Sequence, residues 1–577
     1  MKPEKPPPPF PPAACYAMAA AFAVCAYLSL VNLDWATLWD DEAISAYLAR
    51  NWMELGAPLA DDGRNLFTDT RGAKPDGTLF YPPLMPWLTS MVFALFGAGD
   101  AQARMLSALL TLAAMALFAL ILRREFPRSP WLAAAAFALA CLSPLTLGYA
   151  RSATYNALVL LAHMTVFWAY LNLCAHSQPR HKAFWAAVLT AAAIAGFHAH
   201  FAANLTFMAA LTVAHLLFRR REFDRRAWAL SAAAAGVYAA QAGWAFLSGY
   251  SGAGDQGVEI NLTRFAPELW QSVKLVNHNN LLAWSVALCA IVLAAAARLR
   301  AWRGGGNDGN DSDDSDDSMS PPRIRWYEDM PRIDWYLAAL AVCVVSLALQ
   351  RTAADFAGIR YISSFAPFAA VVSAAVFHCV WNRARIAGAA LGAVLLLSNA
   401  AGWPLLCCLE NDSHRPKWTL PALALEYHRD YPDLQRESLD YIRENVPKDS
   451  LVFASYKQCG VTVLLWELSD HLRMCCALER PTPGVNTRGR EHLLIPRVLK
   501  DEITPDYVLW TARPPFTDRL ILPGVSGRTR YRRMEDFPGA IYGYCSPHRP
   551  EPAWRTSRPD LLKYNARRSH LYQLERP

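Results

Sequence analysis

Long apolar runs alternate with short polar breaks from residue 13 to residue 404, and after that the pattern changes character. Crossing a bilayer takes about 20 apolar residues in a helix. On that measure the runs near 13–31, 104–122, 131–149, 154–174, 184–200, 201–218, 227–248, 281–299, 333–350, 361–380 and 386–404 predict eleven spans. The run Leu84–Phe96 is apolar but shorter, and it sits between Pro82-Pro83 and Gly97. It reads as an interfacial helix within a long first loop, residues 32–103. A second amphipathic helix opens that loop. Ile44, Tyr47, Leu48, Trp52 and Leu55 recur at helical spacing between Asp40-Asp41-Glu42 and Gly56. Asp40 or Asp41 suits the N-cap, Glu42 the positive end of the helix dipole, and Gly56 with Pro58 the stop. Its apolar face predicts a helix lying along the membrane surface.

The loops give the orientation. Arg123-Arg124, Arg180-His181-Lys182, the stretch 219–226, the stretch 298–303 and the stretch 383–385 all fall on the side of the N-terminus. Basic loops mark the cytoplasmic side, so the chain is expected to start inside and to end outside. The acidic, low-complexity stretch 304–320, within a cytoplasmic loop over 301–332, reads as a solvated tether. Beyond residue 404 the apolar runs shorten and turns multiply. Leu434–Asn445 has helical spacing, and Leu451–Ala454, Val461–Leu465 and Tyr507–Trp510 read as strands. The expected organisation is a cytoplasmic tail over 1–12, a membrane domain over 13–404 and an extracytoplasmic α/β domain over 405–577.

Composition agrees with a membrane part joined to a soluble part. Of 577 residues 54% are hydrophobic and 20 are Trp, yet the mean hydropathy is only +0.10. The net charge of +7 carries no basic stripe with interleaved aromatics, so nucleic acid is not an expected partner. Seven of the 13 Cys lie in or beside apolar runs; Cys407, Cys408, Cys459, Cys475, Cys476 and Cys545 follow the last one, where an extracytoplasmic setting permits disulfides of unspecified pairing. Neither GxGxxG nor GxxxxGK[ST] occurs, so nothing supports a nucleotide or nucleotide-sugar substrate.

On this topology the conspicuous polar residues share the outer side. Asp40, Asp41 and Glu42 come first, then Lys74, Tyr81 and Arg104, then Arg151, Tyr155 and Asn156, then His198 and His200, and last Arg360 and Tyr361. Carboxylates, cations and aromatics converging at a membrane lip suit a lipid substrate bearing a phosphate. Cations hold the phosphate, a carboxylate takes a proton, and aromatics line the sugar or tail. The pair His198 and His200 is a weak metal candidate, because two ligands do not make a site.

These residues in this order resemble the GT-C glycosyltransferases that use polyprenyl-phosphate sugars, in the group of protein O-mannosyltransferases and aminoarabinose transferases. The residues that carry the resemblance are Asp41-Glu42 after the first span, Tyr81-Pro82-Pro83-Leu84 with Trp87, Phe96-Gly97 with Arg104, Ala150-Arg151 with Tyr155, and Arg360-Tyr361 with Pro367. The resemblance covers most of residues 13–404. It implies a polytopic, GT-C-like enzyme of the cytoplasmic membrane that transfers sugar, with inversion, from a polyprenyl-phosphate donor to a lipid, glycan or protein acceptor. It implies Asp41 as general base with Glu42 in support, and Lys74 and Arg360 at the phosphate. Tyr81, Arg104, Arg151, Tyr155 and Tyr361 complete the substrate set. No cofactor is required, and a divalent metal stays open. Where many members carry an acidic residue in the second outer loop this chain has Asn156, although Arg151 and Tyr155 satisfy the Arg-x-x-x-Tyr pattern of some relatives. Two other readings compete: a transporter or flippase of lipid-linked sugars, and a non-catalytic membrane scaffold.

Overall fold

A computed structural model describes residues 10–34, 37–38, 40–66, 82–175, 178–247, 261–278, 281–304, 330–353, 359–398, 400–401, 418–428, 434–454, 461–474, 504–512, 519–520, 531–537 and 568–574. The stretch 304–320, apart from Gly304, and all six late cysteines lie outside the described residues.

Helices occupy the apolar runs. In chain order they are α1 (Pro12–Leu30), α2 (Asp40–Leu55), α3 (Leu84–Phe96), α4 (Asp100–Glu125), α5 (Pro130–Cys141), α6 (Pro144–Ala150), α7 (Asn156–Ala175), α8 (Pro179–Ala199) and α9 (Phe201–Ala214). They continue with α10 (Arg225–Leu247), α11 (Phe265–His278), α12 (Trp284–Gly304), α13 (Met330–Ala353), α14 (Ala366–Arg383) and α15 (Arg385–Leu397). Among the described residues seven helical stretches are long and apolar enough to cross a membrane, eight if α5 and α6, bent by 51°, count as one. The remaining expected spans coincide with α10, α12 and α15; the last two carry apolar helical stretches shorter than 18 residues. Leu84–Phe96 forms a helix of 13 residues ended by Gly97, whose φ of +84° explains the glycine.

By internal contacts the chain divides into two compact units, and the division does not follow residue 404. One unit holds 1–29, 110–150 and 156–424; the other holds 30–109, 151–155 and 425–577. Within the first, α7 packs on α8, α5 on α14, and α9 and α11 on α13. Its core holds a buried ion pair, Glu125 with Arg219, and the Arg219 guanidinium lies 5.3 Å over the Trp335 ring.

The second unit joins the first loop to the end of the chain. Its C-terminal elements include α17 (Leu434–Asn445), α18 (Val461–Leu468) and a six-stranded sheet, while α16 (Thr419–His428) straddles the boundary. The strands are β1 (Leu451–Ala454), β2 (Arg473–Met474), β3 (Tyr507–Ala512), β4 (Arg519–Leu520), β5 (Tyr531–Phe537) and β6 (Arg568–Leu574), in the order β2-β1-β3-β6-β5-β4. β1 runs parallel to β2 and β3; the other pairings are antiparallel.

Two expectations need correction here. Val461–Leu465 belongs to a helix, not a strand. The β-branched start mimics a strand, but the apolar run continues through Trp466 and Leu468, and a short apolar run carries no decisive period. The apolar face of α2, expected on the membrane surface, is packed against protein. Ala43, Ala46, Tyr47 and Ala49 share one core with Phe93 of α3 and with Leu439, Ile442, Val463, Leu464 and Trp466 of the C-terminal elements. A helix of 16 residues that buries one face needs a partner, and α18 supplies it. Tyr47, with its ring in that core, donates to the Ala60 carbonyl at 3.3 Å. Burial pushes its phenol well above the usual range, so it stays a neutral donor.

Asn65 closes the unit on the other side. Its Nδ2 donates to the carbonyls of Ser469 (3.2 Å) and Leu472 (3.0 Å), and its Oδ1 accepts the Met474 amide at 2.8 Å. The residue is fully buried. Asn65→Ala leaves these groups without their side-chain partner, and each buried group so left costs about 1–3 kcal/mol. Chemical unfolding followed by Trp fluorescence is expected to show a loss of at least that size; an unchanged midpoint refutes this role.

Candidate active site

The acidic triplet opens α2. Trp39 and the Asp40 side chain lie outside the described residues, which leaves Asp41 and Glu42. The two differ sharply in surroundings. Glu42 is 1% exposed, whereas Asp41 is half-buried. Arg104 of α4, itself 2% exposed, grips the Glu42 carboxylate with Nη2 at 2.8 Å from Oε2 and Nε at 3.3 Å from Oε1. The backbone N–H of Ala153 donates to the same Oε1 at 2.7 Å. Two-pronged Arg–carboxylate contacts with a further amide donor replace the hydration that a buried carboxylate loses. Position in the first turn of α2 adds the favourable helix dipole.

Arg104 reaches further. Nη1 donates to the Leu33 carbonyl at 3.0 Å and Nη2 to the Thr37 carbonyl at 3.1 Å. Arg151, buried as well, does the same one step upstream: Nη1 donates to the Val31 carbonyl and Nη2 to that of Asn32 at 2.7 Å. Asn32 has a φ of +50°, a backbone state that asparagine tolerates better than most residues. The Arg151 guanidinium also lies 4.1 Å over the Tyr427 ring. Both arginines therefore bond carbonyls of residues 31–33 and 37, which precede α2 in the chain. Tyr155 is buried beside them in sequence.

In the other unit, short 3₁₀ turns at Ile359–Tyr361 and Ser363–Phe365 precede α14, and the first carries Arg360 and Tyr361. The Arg360 guanidinium lies 5.3 Å over the Tyr361 ring, which in turn sits 4.7 Å from the His200 ring. Asn156, at the start of α7, has its Oδ1 3.3 Å from Ser363 Oγ, and that hydroxyl is 3.1 Å from the Arg360 carbonyl. One residue on, Ser364 Oγ meets His163 Nδ1 at 2.8 Å. Asn156 thus serves as a tie to the turn that presents Arg360.

The histidine pair has structural duties. His200 Nδ1 accepts the Ala203 amide at 3.1 Å and caps α9, while His198 Nε2 stands 3.0 Å from Gln241 Nε2. Among the described residues no group of three or more His, Cys, Asp or Glu side chains is placed to hold a metal ion. Lys74 and Tyr81 lie outside the described residues.

Residues 81–244 match the family described as dolichyl-phosphate-mannose-protein mannosyltransferase. The chain resembles the GT-C glycosyltransferases that use polyprenyl-phosphate sugars. Among solved structures it is similar to ArnT from Cupriavidus metallidurans. In the apo state that structure shares 16% identity over 87% of this chain and 94% of its own, with a TM-score of 0.44. Bound to undecaprenyl phosphate it shares 14% over 87% and 93%, with a TM-score of 0.48. No curated protein matches the chain. The segment matched by the glycosyltransferase family contains Arg104, Arg151 and Asn156; Asp41, Glu42 and Arg360 lie outside it.

Sequence reasoning missed the Ala153 amide, Ser363, Ser364 and His163. A backbone donor leaves no trace in residue identity, and isolated Ser and His in apolar surroundings read as ordinary core positions. Arg104→Ala leaves the Glu42 charge buried and unpaired, which costs about 3–5 kcal/mol. The expected result is a large fall in thermal stability that Arg104→Ala with Glu42→Gln partly restores; equal melting of wild type and Arg104→Ala contradicts the pairing.

Proposed function

We propose that the protein is an integral-membrane glycosyltransferase that moves a sugar from a polyprenyl-phosphate donor to an acceptor hydroxyl outside the cytoplasm. The observation that carries this reading is the inequality of two adjacent carboxylates. Glu42 is locked by Arg104 and the Ala153 amide, while Asp41 is half-buried in the same helical turn. One acid is fixed as an anchor, and its neighbour is the general base. The match of residues 81–244 to a family named for a lipid-phosphate sugar supports the donor class.

In the transfer step the acceptor oxygen attacks C1 of the sugar, and the bond from C1 to the phosphate oxygen breaks with its electron pair. The proton passes to Asp41, and attack opposite the leaving phosphate inverts C1. Lys74 and Arg360 stabilise the charge that develops on the departing phosphate. Tyr81, Tyr155 and Tyr361 line the substrate. Arg104 and Arg151, hydrogen-bonded to the connector carbonyls, act on substrate indirectly by holding the acidic turn. The metal-free form of this mechanism needs only these side chains.

The basic loops support an eleven-span arrangement with the N-terminus in the cytoplasm and residues 405–577 forming an α/β domain outside it. A periplasmic reporter fused after Leu405 is expected to be active, and activity only of a cytoplasmic reporter refutes the arrangement. Loss of a positioned base typically lowers the rate about 10²–10⁴-fold. Asp41→Asn is therefore expected to lose transfer by that factor while its expression and membrane insertion hold. The assay uses polyprenyl-phosphate sugars purified from native membranes, and full transfer by the variant overturns the role.

A further inference from the structure

The C-terminal helix α18 meets the acidic end of the second unit through one side chain. Trp466 Nε1 donates to Asp100 Oδ1 at 2.8 Å, at the first residue of α4. The other Asp100 oxygen takes Arg436 of α17 at 3.0 Å. The Trp466 ring stacks on Phe93 of α3, with centroids 5.7 Å apart and planes 21° from parallel. The Arg50 guanidinium of α2 lies 5.1 Å over the same indole. One residue therefore touches α2, α3 and α4 together.

Arg50 strengthens the link from the other side. Nη1 donates to the Trp466 carbonyl at 2.9 Å, and Nη2 to the Leu465 carbonyl at 3.1 Å and to Ser469 Oγ at 2.6 Å. These carbonyls belong to the last turn of α18, where a cation also complements the helix dipole. An arginine two turns beyond the acidic triplet is thus fixed to the C-terminal helix. On α4, Arg104 stands one turn after Asp100 and grips Glu42. The path from α18 to the acid turn runs by two short routes, through Asp100–Arg104–Glu42 and through Arg50 along α2.

We propose that Trp466 and Arg50 are positioning residues by which the C-terminal segment sets the geometry of the Asp41–Glu42 turn. The proposal rests on the reading of that turn as the catalytic one. It makes the C-terminal segment a working part of the transferase, because loosening α18 frees both ends of the α2–α4 contact. Geometric tolerance at a reacting centre is small, so a displacement of about 1 Å there costs about 10²-fold in rate. Substrate affinity at a separate phosphate contact is left intact, and the defect falls on turnover.

The test uses the full-length protein in lipid nanodiscs with Trp466→Phe, which keeps a stacking ring but deletes the indole N–H, and with Arg50→Gln. Hydrogen exchange over residues 41–48 is expected to accelerate about tenfold in each variant. The binding probe is undecaprenyl phosphate, whose affinity is expected to stay within about twofold. Transfer from native polyprenyl-phosphate sugars is expected to fall about tenfold at saturating donor. Unchanged exchange over 41–48 in both variants overturns the positioning role alone. A fall in undecaprenyl phosphate affinity that accounts for the whole loss of transfer also overturns it. Full transfer by Asp41→Asn removes the catalytic reading, and the positioning role falls with it.

Discussion

The buried contact between Glu42 and Arg104 is the constraint on which the second unit depends. Neither charge is stable alone in that interior, since stripping water from a carboxylate or a guanidinium costs several kcal/mol. Each therefore fixes the other, and the Ala153 amide adds a second hold on Glu42. Because Glu42 lies in α2 and Arg104 in α4, the pair also sets how these helices meet. Replacing it by an apolar pair of equal volume would keep the packing but not the charge pattern beside Asp41.

The neighbouring cations make backbone contacts of their own. Arginines at a membrane lip invite assignment to a lipid phosphate, and a guanidinium is well suited to that work. Here Arg104 and Arg151 spend donors on backbone carbonyls at Leu33, Thr37, Val31 and Asn32. An irregular connector has carbonyls with no ladder or helix to satisfy them, and buried carbonyls require donors. Two arginines supply these donors at Val31, Asn32, Leu33 and Thr37.

In the first unit a second polar tie operates, between Asn156, Ser363 and the Arg360 carbonyl, with Ser364 and His163 beside it. The Asn156 amide oxygen accepts from the Ser363 hydroxyl, so this asparagine is tied to the turn that carries Arg360.

Hydrophobic period predicted helical runs near 13–31, 84–96, 104–122 and 154–174, where helices stand at 12–30, 84–96, 100–125 and 156–175, and with turn residues it predicted the stop at Gly56 and the strand at Leu451–Ala454, because burial and turn chemistry act locally along the chain. It also marked the acidic triplet as unusual. Local pattern could not settle the state of Val461–Leu468, where strand and helix share the same residues and only packing against α2 decides. Nor could it tell Asp41 from Glu42. Those residues are adjacent and chemically alike, and what separates them is an arginine 62 positions away and an amide 111 positions away. Sequence determined which groups were present, and the tertiary structure decided that Glu42 meets Arg104 and the Ala153 amide, since only folding brings these partners within hydrogen-bond reach.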